Sequence, residues 1–151
     1  MKITVFGGTG RTGLPLVAQA LDAGHEATVL ARTPFKLPTD HKRLRVVQGD
    51  VQDAAKVEEA MKDVEAVLSV LGPVSNEPVF MISQGTEKIL AAMKKRGVRR
   101  LVQTVGAGVA DSKDKPGLPG KLIGVLLRTF SRYVDSDMQR VSDLMRYSRR
   151  E

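Results

Sequence analysis

Residues 3–13, Ile3-Thr4-Val5-Phe6-Gly7-Gly8-Thr9-Gly10-Arg11-Thr12-Gly13, decide how the chain folds. With Lys2, the first four read as a strand over 2–6, because they are apolar or β-branched and end abruptly at glycine. The glycines then recur as G-x-x-G-x-x-G, and residues 12–23 carry Leu14, Val17, Ala18 and Leu21 at helical spacing. Pro15 falls in the first turn of that helix, where a missing N–H costs little, and Gly24 closes it. A glycine pattern alone is weak; set between a strand and a helix it has a mechanical reason. Gly7 turns the chain out of the strand. Gly10 omits a Cβ so that backbone can approach a pyrophosphate, and Gly13 lets helix and sheet close up. The free N–H groups of that first turn then point at the phosphates, with Gly7, Thr9, Gly10, Arg11, Thr12 and Gly13 as the cofactor-binding residues of the turn. These residues predict a dinucleotide site.

Outward from this turn, strands are expected at 26–31, 44–48, 65–71 and 100–105. Helices are expected from Asp53, as N-cap, to Lys62, from Val79 to Arg96, over 121–132 and over 135–148. A polar loop with Pro34 and Pro38 joins the second and third strands, and residues 111–120 form a turn-rich loop. Apolar strands alternating with helices predict an α/β, three-layer αβα, Rossmann-type doubly wound parallel sheet, five strands in the order 3-2-1-4-5. The 151 residues suit a single domain over 1–151, with no internal repeat.

The nucleotide is read from the end of the second strand. An NAD site places an acid about 20 residues on, to hold the ribose 2′-OH. Here Arg32 stands there, and a guanidinium suits a 2′-phosphate. Arg11 is a second candidate for that phosphate and Lys36 a weaker third, so NADP(H) is favoured over NAD(H). Asp50, after the third strand, is placed to accept from the adenine amino group or to serve as a simple turn residue.

The opening run resembles that of atypical short-chain dehydrogenases of the NmrA-like kind. Within them it is similar to the flavin reductase/biliverdin-IXβ reductase group and bacterial NADH-flavin reductases. Val29-Leu30-Ala31-Arg32, Gln48-Gly49-Asp50-Val51 and Val70-Leu71-Gly72 match the same pattern. The resemblance implies Arg32 on the 2′-phosphate, Asp50 and Val51 beside the adenine, and Leu71 and Gly72 along the dinucleotide. It places Thr104, Val105 and Gly106 near the nicotinamide. It also implies hydride transfer to a flavin, tetrapyrrole, quinone or similar planar acceptor. The alternatives are a non-catalytic NADP(H)-sensing regulator and a nucleotide-binding fragment.

Two departures bear on catalysis, and no catalytic residue is assigned. Ordinary short-chain dehydrogenases use a Tyr-x-x-x-Lys pair to move a proton. Here Tyr133 is followed by Asp137 and Tyr147 by Glu151. Relatives of this kind also continue with a further strand and a segment covering the substrate side. Ending at Glu151, the chain resembles a shortened member whose acceptor pocket is open or completed by another subunit.

Composition removes other classes. There is no cysteine, so there are no disulfides and no thiolate chemistry. His25 and His41 are the only histidines and lack partners at ligand spacing, so no metal is expected. Ser69, Ser75 and Ser83 have no evident histidine base. The net charge is +7, but the basic residues are dispersed and not interleaved with aromatics, so nucleic acid is not expected as a partner. Lys94, Lys95 and Arg96 before Gly97 suit a helix C-terminus. No apolar run approaches the ~18 residues of a membrane span, and no export signal precedes the first strand, so a cytoplasmic location is expected. Met81, Met93, Met138 and Met145 read as filler on helices. Leu118, Leu122, Val125 and Leu126 form a stripe that is either ordinary sheet packing or a homodimer contact.

Overall fold

The computed structural model describes residues 1–37, 40–73, 80–106 and 132–148. In chain order these form β1 (Lys2–Phe6), α1 (Gly13–Asp22), β2 (Glu26–Ala31), a single 3₁₀ turn (Pro34–Lys36) and β3 (Leu44–Gln48). Then come α2 (Ala54–Ala60), β4 (Ala66–Ser69), α3 (Met81–Arg96), β5 (Arg100–Gln103) and α4 (Arg132–Ser148). The strands make one five-stranded sheet in the order β3-β2-β1-β4-β5, parallel throughout. The expected α/β architecture and strand order are therefore present.

The chain divides into two compact units, Met1–Gly72 with Glu87–Thr104, and Pro73–Thr86 with Val105–Glu151. The first unit holds the sheet. Alternation along β1 sends Ile3 and Val5 to one face, where Val17, Ala20 and Leu21 of α1 cover them. Phe6 goes to the other face, with Val57, Ala60 and Met61 from the α2 region and Ile89, Ala92 and Met93 of α3. Thr4 shares that second face fully buried, its hydroxyl donating to the Ala60 carbonyl at 2.6 Å. An internal partner removes the cost of burying it.

Several boundaries differ from the expectation, each for a local reason. β4 and β5 stop at Ser69 and Gln103, short of 71 and 105. β1 turns away at Gly7, so apolar residues beyond Ser69 have no strand to pair with. One further bond on each side, Val70 N–H to the Phe6 carbonyl and Thr104 N–H to the Ser69 carbonyl, both 2.9 Å, ends the ladder. The loop after β2 contains the 3₁₀ turn, started by Pro34 with its φ already set. α2 ends at Ala60 rather than Lys62, ahead of Asp63 in the left-handed region (φ 60°). Asp53 caps α2 as expected, accepting from the N–H groups of Ala55 and Lys56. α3 starts at Met81, and α4 starts at Arg132, three residues earlier than 135. Pro38, Val79, the loop 111–120, the stripe from Leu118 to Leu126 and the rest of the 121–132 helix lie outside the described residues. No helix among the described residues is long and apolar enough to cross a membrane.

Candidate nucleotide-binding site

The glycine turn is built by close approaches that side chains would prevent. Gly7 has φ +81°, and a Cβ there would lie 2.7 Å from the Val70 carbonyl oxygen. Gly13 is tighter, because its Cβ would meet the Gly7 carbonyl oxygen and sit 2.6 Å from Gly8 Cα. Sequence reasoning gave Gly8 no role, yet a Cβ there would lie 2.6 Å from Val29 Cγ1 on β2. The turn is thus pressed against both its own backbone and the sheet. The buried positions of α1 are Gly13, Val17, Ala20 and Leu21, whereas Leu14 and Ala18 of the expected stripe are exposed. The stripe begins on a glycine because backbone, not side chain, makes the first contact.

Gly10 also has a part in holding the turn together. Its N–H donates to the Gly7 carbonyl at 3.0 Å, so it closes the turn and is not offered to a ligand. Its missing Cβ would meet only the Gly7 oxygen, at 3.3 Å. The N–H groups of Arg11, Thr12 and Gly13 have no acceptor among the described residues. Thr12, the N-cap residue of α1, makes no side-chain cap, and no acid lies in the first turn. This helix end is open and positive, with the exposed Arg11 beside it.

The next strand ends supply charge. Arg32 leaves β2 and Asp50 follows β3, the register Ala31↔Gln48 placing their backbones side by side. Arg32 Nε lies 3.9 Å from Asp50 Oδ2, while Asp50 Oδ1 accepts from the Gln52 N–H at 2.8 Å. Gln52 Oε1 accepts in turn from Lys88 Nζ at 3.0 Å. Val51 is buried in the core cluster, and Leu71 packs against that cluster half-buried. Gly72 is exposed with open space around it, so no close contact explains a glycine there.

At the end of β5, Thr104 is exposed, its hydroxyl 3.4 Å from the Ser69 carbonyl oxygen. Ser69 and Gln103 are register partners, and each carries a buried polar atom, Ser69 Oγ and Gln103 Oε1, with no partner among the described residues. The sequence offers Ser69 only as a serine without a histidine base, and Gln103 reads as an ordinary strand residue. Gly106 belongs to the second unit and is exposed. In that unit Asp137 is 6% exposed, and its two oxygens accept from the N–H groups of Ile82 and Ser83, both at 3.0 Å. Where Tyr-x-x-x-Lys would carry a lysine, Tyr133-x-x-x-Asp137 carries a carboxylate committed to the start of α3. Among the described residues no group of three or more His, Cys, Asp or Glu is arranged to hold a metal.

The sequence profile of a family described as NAD(P)H-binding matches residues 7–149. A 3 beta-hydroxysteroid dehydrogenase/Delta 5→4-isomerase of Mycobacterium tuberculosis is 33% identical over 115 residues, 68% of this chain. The chain spans only 31% of that relative's length. A short-chain dehydrogenase/reductase of Veillonella parvula, solved in complex with NADP, superposes with a TM-score of 0.78 at 21% identity, covering 96% of this chain and 63% of that one. An anaerobillin reductase of Escherichia coli O157:H7 superposes at 0.71 with 16% identity, covering 96% and 66%. At such identities the two structures speak for the fold.

Proposed function

The chain belongs to the NAD(P)H-binding family, and on that premise we propose that it binds NADP(H) and delivers hydride to a planar acceptor such as a flavin or tetrapyrrole. One observation carries the reading: the open N-terminus of α1 stands in the same unit as Arg32, which occupies the end of β2 where an NAD site needs an acid. The N–H groups of Arg11, Thr12 and Gly13 suit a pyrophosphate, which needs donors and a positive field. Arg32 supplies a fork for a 2′-phosphate. Asp50 offers a carboxylate beside the adenine, and the backbone of Val51, Leu71 and Gly72 lines the path along the strand ends. Thr104 is assigned to the nicotinamide end.

Bound NADPH supplies the hydride. The protein's part is to hold two rings in contact and exclude competing reactions. The commitment of Asp137 to α3 favours an acceptor that needs no protein acid. A carbonyl needs a proton on its oxygen as hydride arrives, and the Tyr-Lys device for giving it is missing. A flavin or an extended tetrapyrrole delocalises the charge and takes its proton from water.

The test is to mix the protein with NADPH and FMN, FAD or biliverdin and follow the reduced-nicotinamide absorbance. Acceptor-dependent loss of that band supports the reductase. Tight NADPH binding without turnover on any acceptor contradicts it and leaves the NADP(H)-sensing role.

A further inference from the structure

Asp50 sits oddly beside an arginine meant for a phosphate. Past the last register pair, Gly49 N–H donates to the Ala31 carbonyl at 3.1 Å, so the chains carrying Arg32 and Asp50 are still tied together as they leave the sheet. The Asp50 carboxylate is anchored on one oxygen by the Gln52 N–H, and its other oxygen faces Arg32 Nε. Among the described residues Arg32 has no other ion pair or hydrogen bond. The carboxylate can act on this arginine in two ways: orient the guanidinium, or compete for it.

The geometry decides between them. At 3.9 Å the pair is at the outer limit of an ion pair, and the side chains are 58% and 38% exposed. Contacts of that kind hold a long side chain poorly. The charge itself stays in place whatever Arg32 does, because Asp50 is pinned by its own loop. A phosphate drawn to Arg32 would therefore approach a fixed negative charge and be opposed by it.

We propose that Asp50 is a specificity-determining residue whose charge limits the site's preference for NADP(H) over NAD(H). The proposal rests on the reading of Arg32 as the 2′-phosphate ligand. Asp50→Asn removes the charge while keeping an oxygen to accept from Gln52 N–H and from an adenine amino group, and any effect on the adenine is common to both cofactors and cancels in their ratio.

The experiment titrates NADPH and NADH into the full chain as wild type, Asp50→Asn, Arg32→Ala and the double variant, at low and high salt. Asp50→Asn should raise the preference for NADPH over NADH about 3- to 10-fold, a scale set by one unit charge at partly solvated separation. The gain should shrink at high salt and vanish in the Arg32→Ala background. Equal weakening of both cofactors in Asp50→Asn would mean that Asp50 acts on the adenine. Selective weakening of NADPH would mean that it orients Arg32, and no change would mean that its charge is not felt; each overturns the proposal. If Arg32→Ala alone weakens both cofactors equally, the 2′-phosphate reading has failed, and the role of Asp50 falls with it.

Discussion

The N-termini of α1 and α3 end in opposite ways, one open and one closed. At α3 the N–H groups of Ile82 and Ser83 are taken by the buried carboxylate of Asp137. At α1, Thr12 provides no cap, no acid lies in the first turn, and three successive N–H groups lack an acceptor among the described residues. α2 follows the first pattern, through Asp53. Helix starts that serve the fold are satisfied from within, by carboxylates that also complement the helix dipole. The α1 start is left for an anion from outside, with Arg11 adding charge of the same sign.

Four experiments break or sharpen this contrast, in falling order of effect. Gly13→Ala should cost the most, because its Cβ collides with backbone that cannot yield. About 3 kcal/mol of stability should be lost in denaturant unfolding, and NADPH affinity should fall by more than about 100-fold. Asp137→Ala should lower stability by about 2–3 kcal/mol, since it strands two buried donors. A near-neutral result in urea melts would mean that the α3 start is not held by this carboxylate. Thr12→Asp brings the α3 pattern to α1. It should raise apo stability by about 0.5 kcal/mol and weaken NADPH by about tenfold, opposite signs that no purely structural helix start would give. The smallest effect concerns Glu58. Hydrogen bonding to Lys95, helped by the charge of Arg96, holds its carboxyl below the usual glutamate range against partial desolvation. A lowered native pKa gives stability that is present above the ordinary glutamate value and lost as pH falls through the native one. Glu58→Gln should therefore be slightly less stable than wild type at neutral pH, equal to it in acid, and nearly equal in high salt.

Much of the sheet was legible because its signals are local. Apolar runs end at glycines, Asp53 precedes α2, and Gly24 and Gly97 follow helices with positive φ. Strand ends were overextended at β4 and β5, since propensity cannot say where a neighbouring strand stops. In the site, Gly7 and Gly13 were readable because the need for no Cβ is built into the turn. Gly8 was missed because the atom it makes room for, on Val29, lies 21 residues away in sequence. Asp137 looked like a mere mismatch to a tyrosine–lysine pair. Its partners lie 54 and 55 residues earlier, and no local pattern announces such a contact. The Arg32–Asp50 approach was hidden for the same reason, since it follows from the register of β2 and β3.

The central claim is that an open helix start and Arg32 together select a 2′-phosphorylated dinucleotide. Calorimetric titration of wild type and Arg32→Asp with NADPH and NADH tests it most directly. Wild type should prefer NADPH by at least about tenfold, and Arg32→Asp should lose about 100-fold in NADPH affinity while NADH changes by no more than about threefold. Equal losses for the two cofactors, or a wild type that binds both alike, would contradict it.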